Sequence, residues 1–146
     1  MVCAESPNPR HPLAFLVLDP LTYARAGDIG RWWIWTIDEP CASWPAVAAD
    51  RYAGPWDRPT AKPILVIGNT FDPETPHEGA VAMAHELASA RLLTVDGYGH
   101  SALLNPSRCA SQHVSDYLID GTLPPEGTVC PQDHQPFTTG QSPATR

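Results

Sequence analysis

The chain has 146 residues, 42% of them hydrophobic, which is enough for one domain with a hydrophobic core and excludes a disordered composition. Its net charge is −7, from 16 acidic and 9 basic residues. This charge argues against a nucleic-acid-binding protein, which needs a basic face to neutralise phosphates, and against an anionic membrane surface as a partner. No apolar run approaches the roughly 20 residues of a membrane-spanning helix.

The first 58 residues are predicted to contain short helices. Leu13 to Arg25 is mostly apolar, which predicts one or two helices that are interrupted at Asp19-Pro20 and end before Gly27. A further short helix is predicted from Ala42 to Asp50.

The pattern changes at Pro63, where the run Pro63 to Gly68 has the composition of a strand that is buried on both faces. The strand ends in a polar turn that contains Asp72. Thr75-Pro76 then begins a helix that we predict to run to about Ser89, because proline is tolerated near the first helical position.

A second strand, Arg91 to Val95, ends in a turn that contains His100, and a helix is predicted from about Pro106 to Leu118. The order strand, helix, strand, helix indicates a parallel α/β sheet. Functional groups collect at the carboxyl ends of the strands in such sheets, and Asp72 and His100 each follow a strand. We therefore expect the two side chains to meet.

An aspartate beside a histidine is typical of an acid that orients a general base. The alternative is that Asp72 caps a helix and His100 is a polar loop residue. The order acid then histidine is that of an α/β-hydrolase, in which a serine in Gly-x-Ser-x-Gly comes first. No serine of this chain lies in that motif, and no His-Gly-Gly-Gly segment is present. The chain is therefore predicted to be the downstream part of such an enzyme, inactive without the serine.

The cysteines stand at positions 3, 41, 109 and 130. None forms a Cys-x-x-Cys pair, so a zinc site is not predicted. Two disulfides in an oxidising compartment fit the even count, and four buried thiols are the alternative. Four cysteines allow three pairings, among which the spacing does not choose.

Two motifs resemble a known family. The segment from Thr60 to Pro76, TAKPILVIGNTFDPETP, resembles the acid-bearing strand of tripeptidyl-aminopeptidase-like α/β-hydrolases, and Gly97 to Ser101 resembles their histidine loop. Three further segments are typical of that family: Cys3 to Glu5, Pro40 to Pro45 and Gly127 to Cys130. The resemblance covers about residues 1 to 137.

The resemblance implies the C-terminal part of an α/β-hydrolase fold, with parallel strands and crossover helices. Residues 1–58 would be a remnant of a helical lid and connection, and residues 59–137 the segment with the acid and histidine loops. Residues 138–146 are expected to be a disordered tail. No cofactor is implied.

The family consists of exported serine peptidases that release short peptides from free N-termini, and of related esterases. By resemblance, Asp72 is the triad acid and His100 the triad base, and the disulfides are Cys3 with Cys41 and Cys109 with Cys130. Glu5 is a candidate for binding the amino terminus of a substrate, and a solvated surface acid is the alternative.

The implied partners are a peptide substrate, in the full-length enzyme, and the missing N-terminal half of the hydrolase fold. Secretion or cell-wall association is implied too. Residues 1–5 lack the basic start and apolar stretch of a signal peptide, so a signal would lie upstream.

Two other functions stay open. One is a hydrolase for non-peptide esters, which would use the same triad. The other is a non-catalytic peptide-binding module, which needs an exposed groove lined by tryptophans. The chain's five tryptophans are Trp32, Trp33, Trp35, Trp44 and Trp56.

Overall fold

A computed structural model describes residues 2–102 and 104–136. The predicted tail, residues 138–146, lies outside the described residues. The chain divides into two compact units, Met1–Ala53 and Gly54–Arg146.

The first unit is helical. Helix α1 is Val2–Glu5 and helix α2 is Leu13–Trp33, which is followed by a π-helical turn, Ile34–Asp38, and a 3₁₀ helix, Glu39–Ser43. Phe15, Ile34 and Cys41 are buried, and the ring centroids of Phe15 and Trp35 lie 6.4 Å apart. A disulfide joins Cys3 to Cys41.

The predicted interruption at Asp19-Pro20 is wrong, because α2 continues through Pro20. The helix is kinked at Gly27 instead, where φ is 58° and ψ is −147°. Glycine enters this region without the steric penalty of a Cβ atom. The Asp19 carboxylate accepts hydrogen bonds from Arg31 Nε at 2.8 Å and Trp35 Nε1 at 3.0 Å, so it ties the two sides of the kink together.

The helix predicted from Ala42 to Asp50 is also wrong, because the last helical residue is Ser43 and residues 44–48 have no regular structure. The cause is local. Trp44 precedes Pro45 and has extended backbone angles, φ −72° and ψ 120°. A residue before proline is disfavoured in the helical region.

The second unit is a three-stranded parallel sheet with two helices. Its elements are β1 (Ile64–Phe71), α3 (His77–Glu86), β2 (Ala90–Tyr98), α4 (Arg108–Asp120) and β3 (Val129–Pro131). The strand order is β1-β2-β3. The two strands and two helices expected in this part of the chain are confirmed, and β3 was not predicted as a strand.

The pairing of β1 with β2 brings the carboxyl ends of the two strands to one edge of the sheet. Ile67 lies opposite Leu93 and Asn69 opposite Val95, and a register shift then places Phe71 opposite Tyr98. The hydrophobic core of this unit is formed by β2, α4 and β3. Its buried residues are Leu93, Val95, Ala110 and Cys130.

A disulfide between Cys109 and Cys130 connects the start of α4 to β3. Together with the bond between Cys3 and Cys41, it gives the pairing that the family resemblance implied. Cys109 and Cys130 are 21 residues apart in the chain. In the chain-entropy model, a disulfide that closes a loop of this length contributes about 3 kcal/mol to stability.

Within the part of the chain that the structure describes, every helix is too short or too polar to span a lipid bilayer.

Candidate active site

Asp72 is the first residue after β1, and a tight turn fixes its carboxylate. Oδ1 accepts hydrogen bonds from the backbone N–H groups of Glu74 and Thr75, each at 2.9 Å, and Oδ2 accepts one from the Thr75 hydroxyl at 2.8 Å. Aspartate favours such turns because its side chain can bond the backbone two residues on. The side chain of Asp72 is only 3% exposed.

His100 lies two residues beyond the end of β2 and contacts this carboxylate. Its Nδ1 is 3.0 Å from Asp72 Oδ1 and 3.1 Å from Oδ2. The backbone N–H of Ser101 donates a further hydrogen bond to Oδ2 at 3.2 Å. The structure therefore brings together the two residues that the sequence places after successive strands.

Several opposing effects set the pKa of Asp72. Burial raises the pKa, but the hydrogen bonds from the backbone of Thr75 and Glu74, from His100 and from the Thr75 hydroxyl together outweigh it. The net result is a pKa well below the ordinary value of 3.8. Asp72 therefore stays ionised at neutral pH.

The same contact raises the pKa of His100 above its ordinary value of 6.5. The hydrogen bond to Asp72 is the main cause, partial burial opposes it, and the charges of Asp72 and Glu74 add to it. Glu74 is exposed, with Oε2 at 3.8 Å from His100 Nε2. Because Nδ1 is held by Asp72, Nε2 is the nitrogen that remains to exchange a proton with a substrate or nucleophile.

A cleft of about 610 Å³ adjoins the pair. Asp72, Glu74 and His100 line it together with apolar side chains of β1 and α3, among them Val66 and Met83. A pocket with an apolar wall and a few convergent polar groups is typical of a small-molecule or peptide site.

Glu5 does not lie in the second unit, which contains Asp72 and His100. It ends α1 in the first unit, where its side chain is exposed and its backbone carbonyl accepts a hydrogen bond from Arg51.

One group of potential metal ligands exists among the described residues: Cys109, His113 and Cys130. Both sulfurs are consumed in the disulfide, so neither is available as a thiolate ligand.

Thr75 and Ser101 donate three of the hydrogen bonds to Asp72, and neither was predicted from the sequence to be a site residue. The spacing Asp-Pro-x-Thr carried a signal for Thr75, because a hydroxyl three residues after an aspartate is placed to close the same turn. The sequence around Ser101 carried no such signal. The φ angle of Ser101, 66°, is unusual for a residue other than glycine, and it accompanies the hydrogen bond from the Ser101 backbone N–H to Asp72.

The sequence of this chain is similar to those of known hydrolases. The model of the family described as TAP-like protein matches residues 25–130. Carboxylesterase B of Mycobacterium tuberculosis is 32% identical over 137 residues, which cover 88% of this chain and 25% of the relative. Serine protease Hip1 of the same organism is 37% identical over 90 residues, covering 62% of this chain and 17% of the relative.

Tripeptidyl aminopeptidase of Streptomyces lividans is 31% identical over 97 residues, again covering 62% of this chain and 17% of the relative. The chain thus spans a quarter or less of the length of the curated relatives that it matches. The family model covers well over half of the chain, and the parallel sheet with crossover helices is the matching architecture. The chain belongs to the TAP-like family of α/β-hydrolases.

Proposed function

We propose that this chain supplies the acid, Asp72, and the general base, His100, of a Ser-Asp-His triad in an exported serine hydrolase. The observation that supports this most directly is the contact of 3.0 Å between Asp72 Oδ1 and His100 Nδ1 at the carboxyl ends of β1 and β2. A buried ionised carboxylate beside a half-exposed imidazole is the arrangement that a general base requires.

In this mechanism, His100 Nε2 removes the proton from a serine hydroxyl as the oxygen attacks the substrate carbonyl. The imidazolium that forms is stabilised by the ionised Asp72, which itself is not protonated. His100 then returns the proton to the leaving group. The serine and the oxyanion donors come from a separate segment, since no serine here lies in Gly-x-Ser-x-Gly.

The substrate we favour is a peptide with a free N-terminus, from which a tripeptidyl or prolyl-type aminopeptidase releases short peptides. The likeness to tripeptidyl aminopeptidase and to serine protease Hip1 supports this choice. An ester is the second candidate, because the likeness to carboxylesterase B extends over most of the chain. Both substrates use the same triad chemistry.

Export is part of the proposal. Both disulfides fit an oxidising compartment, outside the cytoplasm or at the cell wall. The proposed partner is the N-terminal part of the hydrolase fold, which would carry the nucleophile. Glu5 remains a candidate contact for the amino terminus of the substrate.

A chimera tests the proposal. Residues 1–146 replace the matching C-terminal segment of Streptomyces lividans tripeptidyl aminopeptidase, and hydrolysis of a tripeptidyl anilide and of a simple aryl ester is measured. We expect hydrolysis of the anilide to exceed that of the ester, and His100→Ala to reduce kcat by on the order of 10⁴-fold, because the general base is lost.

The matched control is His85→Ala, which removes an exposed histidine of α3. It should leave kcat unchanged. A folded chimera in which His100→Ala is as active as the parent would contradict the triad assignment. Hydrolysis of the ester alone would favour the esterase.

A folded chimera that hydrolyses neither substrate, yet binds the peptide, would favour the non-catalytic module. Of the tryptophans that such a module needs, four lie in the first unit and Trp56 lies in the second. Trp32, Trp33, Trp44 and Trp56 are each about half exposed.

A further inference from the structure

The loop that carries His100 has an unusual backbone. Gly99 has φ 106° and Ser101 has φ 66°, so the residues on both sides of His100 lie in the left-handed region. A non-glycine residue persists there only when the surrounding structure holds it. The contacts around the loop therefore decide where the imidazole lies.

Four consecutive backbone carbonyls of this loop accept hydrogen bonds from side-chain carboxamides. Gln132 Nε2 donates to Tyr98 O at 3.3 Å, and Asn69 Nδ2 donates to Gly99 O at 2.8 Å. Asn105 Nδ2 donates to both His100 O at 3.2 Å and Ser101 O at 2.8 Å. We refer to Asn69, Asn105 and Gln132 as the amide clamp.

The members of the clamp are also connected to one another and to the sheet. Gln132 Nε2 is 3.3 Å from Asn105 Oδ1, and Gln132 Oε1 accepts a hydrogen bond from the backbone N–H of Tyr98 at 2.9 Å. A Cβ atom on Gly99 would lie 2.6 Å from Asn105 Oδ1, so the carboxamide packs directly on the loop backbone.

The three members lie in or beside different elements of the second unit. Asn69 is in β1 and is 2% exposed, Asn105 precedes α4, and Gln132 follows β3. The backbone N–H of Gln132 donates to Asp96 O at 3.0 Å, and the disulfide at Cys130 secures β3 two residues earlier. The loop follows β2 and is hydrogen-bonded to a residue of β1 and to the residue after β3, so its position depends on all three strands of the sheet.

We propose that the amide clamp is the positioning device of His100, with Asn105 as its central member and Gln132 as the link to β3. This inference rests on the proposed role of His100 as the general base. The carboxamides are uncharged, and the charged groups that face the imidazole are Asp72 and Glu74. Loss of a clamp member therefore affects His100 through geometry rather than through charge.

The test uses NMR on the 146-residue chain, in which the His100 Nδ1–H signal and the His100 titration are recorded. In the parent we expect a downfield Nδ1–H resonance and a pKa above 6.5. Asn105→Ala should broaden or abolish that resonance and move the pKa toward 6.5, and Gln132→Ala should do the same to a smaller extent. Asn105→Gln, which keeps the donor group, should restore part of both signals.

Gln112→Ala is the matched control, because Gln112 is an exposed carboxamide that bonds Asp116 within α4. It should change neither signal. A lower melting temperature in Asn105→Ala and Gln132→Ala with an unaltered His100 signal and pKa would overturn the inference, and so would an equal change in Gln112→Ala. Since the readout needs no nucleophile, it can succeed even where the chimera shows no hydrolysis.

Discussion

Asp72 is a charge that the folded protein stabilises and the unfolded chain does not. Its lowered pKa adds stability that is present above 3.8 and is lost as the pH falls from there toward the folded-state value. The raised pKa of His100 adds stability that is fully present below 6.5 and is lost as the pH rises through the folded-state value. The pair therefore contributes most to the stability of the folded protein between pH 3.8 and pH 6.5.

We predict that the stability difference between the parent and Asp72→Asn is largest near pH 5 and smaller near pH 3 and pH 8. The free energy of unfolding, measured with urea at the three pH values, checks this. Asp57→Asn removes an exposed carboxylate outside the site and controls for the loss of one negative charge. A difference that is constant over the three pH values would contradict the prediction.

At this scale, the sequence indicated Asp72 and His100 because each follows an apolar strand, which is a local pattern. The amide clamp had no such signal. Asn69 and Gln132 lie 30 and 34 residues from the loop residues to which they donate, and the pairing of β1, β2 and β3 brings them to that loop. Asn105 lies only four and five residues from the carbonyls to which it donates. Polar residues of this kind resemble ordinary loop residues until the tertiary structure is known.

The contact of β1 with α3 depends on a glycine. A Cβ atom on Gly68 would lie 2.7 Å from the Cβ atom of Ala80 and 3.1 Å from the His77 ring. Because Ala80 has no flexible side chain to move away, an added methyl group must displace the helix that follows the acid loop.

We predict that Gly68→Ala destabilises the protein by about 1–3 kcal/mol, as is usual for overpacking. Gly79 is the matched control: it lies within α3, and a Cβ atom there would meet nothing within 4 Å. Gly79→Ala should stabilise the protein by about 0.4–1 kcal/mol through the unfolded state. Urea denaturation measures both, and an equal effect of the two substitutions would refute the close contact.

The elements differ in how well the sequence foretells them. The apolar run after Pro63 gives β1 a local signal, so the strand was predicted from the sequence. The strand continues to Phe71, three residues beyond the predicted end at Gly68, because Asn69 and Phe71 pair with β2. β3 has three residues, and it is a strand because Thr94, Val95 and Asp96 pair with it. The helix predicted from Ala42 to Asp50 does not form because Trp44 precedes Pro45, and a residue before proline is disfavoured in the helical region.

On the scale of the molecule, the sheet has an open side. Within residues 2–102 and 104–136, β1 pairs with β2 alone, and its other edge has no strand partner. An unpaired strand edge is a template for pairing with another chain. This edge is where the proposed N-terminal part of the hydrolase would continue the sheet.

We predict that the chain in isolation self-associates through this edge. Size-exclusion chromatography with light scattering should give a mass above 15.8 kDa that rises with concentration. Adding the N-terminal part of a related hydrolase should compete with self-association, because both need the same edge. A stable monomer at every concentration would show that the edge is protected.

The two disulfides have a consequence for the covalent integrity of the chain. Cys3 and Cys41 both lie in the first unit, and Cys109 and Cys130 both lie in the second. No cysteine is left to bridge them among the residues that the structure describes. A single proteolytic cut between Ala53 and Gly54 would therefore leave two separate polypeptides even under oxidising conditions, with Asp72, His100 and the amide clamp all retained on the larger one.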